Sequence, residues 1–130
     1  MAEEIKKKIV IVEDDPFLNK AFLLKLGSAG FNTVSIKDGE EAMDIISKEM
    51  PDLILLDLML PQKSGFEILA DLKKDVKLKD IPVLILTNLG QEEERQRGLS
   101  IGAKEYLVKT DIKLEEVVEK INGYLKQEVL

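Results

Sequence analysis

The sequence predicts one doubly wound α/β domain, a parallel sheet of five strands covered by helices on both faces. That expectation rests on three features of the chain. Strand-like and helix-like segments alternate from end to end, the strand-like ones are almost wholly apolar, and the length suits a single core. Alternation of this kind is the pattern of successive βα units around a parallel sheet. Strands that read as continuous apolar runs are those buried on both faces. With 130 residues, 45% of them hydrophobic and 34% charged, the chain fits one globular domain, expected to occupy all of residues 1–130.

The first strand is expected at residues 9–12, a β-branched run. A helix follows over about 16–29, opened by Asp15 as N-cap and Pro16 at the first position. Its core face is expected to carry Phe17, Leu18, Ala21, Phe22 and Leu24, with Gly27 and Gly30 at the exit. Residues 33–36 read as a second, weaker strand. Asp38 and Glu41 have capping-box spacing ahead of Ala42, Ile45 and Ile46, and Pro51 ends that helix. The third strand is expected over 53–58. Ser64 and Glu67 repeat the capping box before Phe66, Ile68, Leu69 and Leu72. Pro82 opens a fourth strand at 83–86, and a strongly polar helix covers 91–101. A fifth strand holds Tyr106 to Val108. The final helix presents Leu114, Val117, Val118, Ile121 and Leu125 at spacings of three and four and is expected to run nearly to Leu130.

Composition removes several function classes. There is no histidine, which excludes Ser-His-Asp and Cys-His catalysis, the usual zinc sites and an internal phosphohistidine. There is no cysteine, so no disulfide framework points to secretion. A net charge of −6 with interspersed lysines argues against direct nucleic-acid binding, which rests on a basic face. No apolar run approaches the roughly 20 residues of a membrane span, and the charged start lacks a signal peptide's apolar centre. The expected location is the cytoplasm, away from membranes.

Against that background Asp57 stands out. It interrupts Leu53, Ile54, Leu55, Leu56 on one side and Leu58, Met59, Leu60 on the other. A buried ion costs on the order of several kcal/mol unless it is paired or bound to metal. Sites in open α/β sheets form beyond the carboxyl ends of the strands. Those ends deliver Glu13, Asp14 and Asp15 from the first strand, Asp57 from the third, Thr87 and Asn88 from the fourth, and Lys109 and Thr110 from the fifth. Converging carboxylates call for a hard cation such as Mg²⁺. A carboxylate can also act as a nucleophile toward phosphorus, with a metal, a lysine and a hydroxyl around the transferred oxygens.

The runs Ile-Val-Glu-Asp-Asp-Pro at 11–16, Asp-Leu-Met-Leu-Pro-Gln-Lys-Ser-Gly at 57–65, Leu-Thr at 86–87 and Tyr-Leu-Val-Lys at 106–109 resemble the receiver domain of bacterial two-component response regulators. The resemblance spans essentially the whole chain. It implies a flavodoxin-like three-layer sandwich with strand order 2-1-3-4-5. It implies that Asp57 accepts a phosphoryl group from a histidine kinase or phosphotransfer protein. Asp14 and Asp57 would bind Mg²⁺ (or Mn²⁺) directly, Met59 through its backbone carbonyl and Glu13 through water. Lys109 and Thr87 would contact the phosphoryl group, and Tyr106 would be the switch aromatic that follows Thr87. A downstream protein would then read the face made by the fourth helix, fifth strand and fifth helix. On this reading the chain is no enzyme beyond promoting its own phosphorylation and slow dephosphorylation, and it carries no output domain.

Two positions depart from the family pattern. Thr110 stands where a proline usually follows the lysine in a cis peptide; a cis bond to a non-proline residue costs roughly 3–4 kcal/mol, so a trans peptide, a rearranged loop and a weaker switch are expected. Asn88 replaces a small residue and is expected either to narrow the approach to Asp57 or to add a donor to the phosphoryl group. Met59 and Leu89 are expected to flank the site as apolar groups that hinder water and prolong the phosphorylated state. The polar fourth helix is expected to be a switching element. The competing readings are a receiver-like binding module that is never phosphorylated and, more remotely, an aspartate-nucleophile phosphohydrolase of the haloacid dehalogenase type. The latter type carries a second aspartate where this chain has Met59. A flavodoxin-like cofactor carrier is more remote still, because the first loop is acidic where phosphate binding needs bare amides.

Overall fold

The computed structural model describes residues 6–125. Five parallel strands form one sheet in the order β2-β1-β3-β4-β5, as the sequence predicts. The elements run β1 (Lys8–Val12), α1 (Pro16–Ser28), β2 (Asn32–Ile36), α2 (Gly39–Glu49), β3 (Leu53–Leu56), α3 (Gly65–Lys74), β4 (Val83–Thr87), α4 (Glu92–Ile101), β5 (Glu105–Val108) and α5 (Leu114–Leu125). A short 3₁₀ turn, Lys109–Asp111, links β5 to α5. The expected extension of the last helix toward Leu130 lies outside the described residues.

Strand alternation divides the core into two layers. Val10, Val12, Ile54, Leu56 and Ile85 face α2, α3 and α4. Ile9, Ile11, Leu53, Leu55, Leu84 and Leu86 face α1 and α5, meeting Phe22, Leu26, Val117 and Ile121. The central strands are therefore buried on both sides, and their apolar runs follow from that. The three expected N-caps form, but the reciprocal bond of a capping box, from the Asp38 or Ser64 amide to the Glu41 or Glu67 side chain, is absent among the described residues. Asp15 accepts hydrogen bonds from the amides of Phe17 and Leu18, Asp38 from Glu40, and Ser64 from Glu67.

Two expectations need correction. The third strand ends at Leu56, so Asp57 and Leu58 lie just past it, although the Asp57 amide still donates to the Val12 carbonyl at 2.9 Å. The core face of α1 is also different. Phe17 and Leu24 are 85% and 65% exposed, while Asn19, Phe22 and Leu26 are the buried residues. Its apolar side chains are spread round the axis rather than gathered on one stripe, so spacing alone does not single out its inner face. The polar Asn19 takes an inner position because Glu13 supplies a backbone acceptor for it.

Candidate functional site

The carboxyl ends of β1, β3 and β5 bring four charged side chains together. The Lys109 amine lies 2.6 Å from Glu13 Oε1 and 2.9 Å from Asp57 Oδ2. Glu13 and Asp57 are both buried, at 3% and 4% exposure, whereas Asp14 is exposed at the rim. One oxygen from each of Glu13, Asp14 and Asp57 lies within 4.8 Å of the others. The sequence groups these four residues, and the fold brings all four together.

Backbone bonds hold the acids in place. The Met59 amide donates to Asp57 Oδ1 at 3.0 Å, fixing the carboxylate against its own chain. The Asp15 amide donates to Glu13 Oε2 at 3.1 Å. Burial pushes the Glu13 carboxyl up to about 7; the bonds from Lys109 and Asp15 pull it back, and the Asp57 charge adds to the rise. Burial alone would lower the Lys109 pKa. Its bonds to Asp57 and Glu13 outweigh that and hold it above the ordinary lysine value.

The Thr110 departure does not move Lys109 away from Asp57. All peptide bonds among the described residues are trans. The chain turns through Lys109–Asp111 as a 3₁₀ turn, and the long lysine side chain still spans to both acids. The expected loop rearrangement is thus absorbed next to the site.

The β4 side of the site is arranged differently. Thr87 is fully buried, and its Oγ1 accepts from the Leu89 amide at 3.4 Å. Tyr106 is buried at 8% exposure, and its hydroxyl donates to the Leu89 carbonyl at 2.6 Å. Burial, then the charges of Glu94 and Asp57, push the Tyr106 phenol up to about 12. Among the described residues neither Thr87 nor Asn88 bonds to Asp57, and Asn88 is exposed. Met59 is 52% exposed beside the site. Leu89 packs instead toward the cluster that contains Tyr106, so only Met59 keeps the expected flanking place.

Two further residues, to which the sequence reading gives no role at the site, hold the backbone of the acids in place. Asn19 donates from Nδ2 to the Glu13 carbonyl at 2.6 Å and so anchors the acidic turn from below. Gly65, the last residue of the 57–65 run, packs its Cα directly on the Asp57 peptide. A Cβ there would run into the Asp57 carbonyl oxygen and come within 2.6 Å of Leu58 Cα. The signal available for Gly65 is its place at the first position of α3, eight residues after Asp57; nothing in the sequence marks Asn19.

The acidic cluster fits a hard divalent cation. Its oxygens are the donors Mg²⁺ and Mn²⁺ take. Three carboxylates against one ammonium leave a formal charge of −2 when all are ionised, the charge such a cation balances.

Residues 9–122 match the family model of the response regulator receiver domain. The chain is 36% identical over 121 residues to the phosphate regulon transcriptional regulatory protein PhoB of Escherichia coli K12, covering 93% of this chain and 52% of PhoB. It spans about half the length of the curated relatives it matches. Among solved structures, the BeF3-activated N-terminal receiver domain of Klebsiella pneumoniae RstA superposes with a TM-score of 0.84 at 32% identity, covering 93% of this chain and all of that one. The Mn²⁺-bound response regulator Rcp1 superposes with a TM-score of 0.81 at 30% identity, covering 95% and 97%. Among the described residues no helix is long and apolar enough to cross a membrane.

Proposed function

The chain belongs to the receiver domains of two-component response regulators, a phosphorylatable family, and we propose that Asp57 is its phospho-acceptor. The observation that carries this reading is a buried carboxylate whose partners are one lysine amine and two further acids. Such a carboxylate is an expensive way to stabilise a fold and a good nucleophile toward phosphorus.

In the proposed reaction an Asp57 oxygen attacks the phosphorus of a phosphohistidine on a kinase or phosphotransfer protein. The P–O bond forms as the P–N bond breaks, and the imidazole leaves with the electron pair and gains a proton. Lys109, already on Asp57 Oδ2, moves its charge onto the phosphoryl oxygens. Asp14, Asp57 and the Met59 carbonyl would hold Mg²⁺ or Mn²⁺, with Glu13 acting through water; Rcp1, a relative, is described in an Mn²⁺-bound form. When bound, the cation supplies positive charge to the oxygens of the transferring group. Gly65 and Asn19 keep the Asp57 and Glu13 peptides where these contacts need them.

Phosphorylation adds about −1.5 to −2 charge and three acceptor oxygens. Thr87 is the nearest hydroxyl from β4, and its turn toward the phosphoryl group would release the Leu89 amide. Tyr106 senses the same segment through the Leu89 carbonyl. The α4-β5-α5 face would then present a changed surface to a downstream protein. Asn88, exposed at the lip, would add a donor at the phosphoryl group. The chain would act in the cytoplasm, away from membranes and without contacting nucleic acid itself. It would catalyse only its own phosphorylation and slow dephosphorylation.

The test is intact mass after incubation with Mg²⁺ and acetyl phosphate. A single phosphoryl adduct is expected, abolished in Asp57→Asn and strongly slowed in Lys109→Ala. An adduct that persists in Asp57→Asn would overturn the assignment. No adduct with any donor would favour the non-phosphorylated binding module.

A further inference from the structure

The loop that joins Asp57 to α3 carries a strained turn. Gln62 has a φ of 72°, in the left-handed region that only glycine enters freely. Across it the Lys63 amide donates to the Pro61 carbonyl at 2.8 Å, closing a three-residue turn of the strained kind. A residue with a side chain keeps such a conformation only where its surroundings impose it, and such residues gather at functional sites. The Gln62 side chain is exposed, so the constraint comes from its neighbours.

Two contacts supply it. The Lys63 carbonyl rests on Gly39, the first residue of α2, where a Cβ would overlap the carbonyl oxygen and come within 3.1 Å of Lys63 Cβ. The Lys63 amine pairs with Asp71 of α3 at 2.5 Å. That pair is partly exposed, and exposed pairs contribute little. Gly39 is therefore the main seat of the turn.

Residues 58–60 connect this turn to Asp57. Beyond the turn, Gly65 is fixed, because its amide donates to the Leu58 carbonyl at 3.0 Å and its Cα lies on the Asp57 peptide. Leu60 packs against the core. Met59 is exposed, so it has the least packing with which to resist a displaced turn. Its amide is also the group that holds Asp57 Oδ1, leaving Oδ2 to Lys109.

We propose that Gly39 is a positioning residue for phosphoryl transfer: by seating the Gln62 turn on α2, it keeps the Met59 amide on Asp57 and the carboxylate aimed. The proposal rests on the reading of Asp57 as phospho-acceptor. On it α2, which supplies none of the four clustered side chains, sets their geometry from outside.

The test is Gly39→Ala in the full chain. In ¹⁵N NMR spectra without donor or metal, the Met59 amide proton should move upfield as its bond to Asp57 lengthens. With Mg²⁺ and acetyl phosphate, the limiting phosphorylation rate should fall about tenfold while the half-saturating donor concentration stays the same. Adding Gln62→Gly should restore both, since glycine lets the turn reshape around the new methyl group. Ala42→Gly weakens α2 away from the turn; it should lower the urea midpoint and leave the Met59 amide in place.

Three results overturn the proposal: an unmoved Met59 amide in Gly39→Ala, an equal shift in Ala42→Gly, or no recovery on adding Gln62→Gly. Should Gly39→Ala not fold, Lys63→Ala decides, because loss of the Asp71 tie should move the same amide the same way by less. The shift needs no donor. A wild type that accepts no phosphoryl group would sink the acceptor reading and the rate effect with it, while the shift still decides whether Gly39 holds Met59 in place.

Discussion

Helices α3 and α4 are each 10 residues long, pack on the same face of the sheet and touch one another, yet they are held in opposite ways. α3 buries Gly65, Phe66, Ile68, Leu69 and Leu72, whereas Gly98 is the buried residue of α4. α3 begins at a Ser64 cap, while Gln91 at the start of α4 makes no side-chain cap bond. α3 is pressed onto the Asp57 peptide through Gly65. α4 approaches the sheet only because Gly98 lacks a side chain; a Cβ there would fall 2.8 Å from Ile85 Cδ1 and 3.1 Å from the Tyr106 ring. The difference separates two jobs. The helix beside Asp57 holds that peptide in place, and the helix beyond Thr87 is only loosely held. A weakly anchored element is where a small change in charge has the largest structural effect.

The sharpest way to break this contrast is to remove one leucine from each helix. Leu69 is fully buried, and Leu69→Ala should cost about 2–5 kcal/mol in urea unfolding. Leu99 is only half-buried, and Leu99→Ala should cost roughly 1 kcal/mol. Equal losses would mean that α4 is anchored as firmly as α3, and that its polar sequence misleads.

Much of this was legible in the chain. The strand order follows the receiver resemblance, the apolar runs marked the central strands, and the lone Asp57 within them marked the site. The polarity of α4 was equally plain, since residues 92–97 are all charged or amide side chains. What stayed hidden depended on contacts between distant segments. Asn19 is buried because it meets the Glu13 carbonyl across the β1–α1 turn, and no local spacing encodes that bond. Phe17 and Leu24 read as core because apolar side chains lie on every side of α1, so spacing singles out no one face. Gly65 and Gly98 each read as ordinary glycines until a neighbouring backbone or ring comes within reach. The Thr110 departure implied a trans peptide and a rearranged loop; the peptide is trans, and the lysine side chain is long enough to reach Asp57 from it.

Tyr106 provides the intermediate test, because it ties the β4–α4 loop to β5. Tyr106→Phe removes the hydroxyl bond to the Leu89 carbonyl and should cost about 1 kcal/mol. In hydrogen exchange, amides in the first turn of α4 should open faster while those of α3 stay unchanged. Equal acceleration in both helices would show them to be one cooperative unit.

The smallest expected effect comes from giving α4 the cap it lacks. Gln91→Ser places a hydroxyl where the orphan amides of the first turn can use it, a change that should add roughly 0.5–1 kcal/mol. Serine is preferred to aspartate because Glu92, Glu93 and Glu94 already crowd that turn with negative charge. The gain should appear as slower exchange in α4 with no change in α3, narrowing the gap between the helices from the weak side. If α4 acts as the mobile reader, the same variant should also phosphorylate normally yet respond less in Tyr106 chemical shift on phosphorylation. An undiminished Tyr106 response in the capped variant would mean that the reading element is the β4–α4 loop itself, with the helix carried along passively.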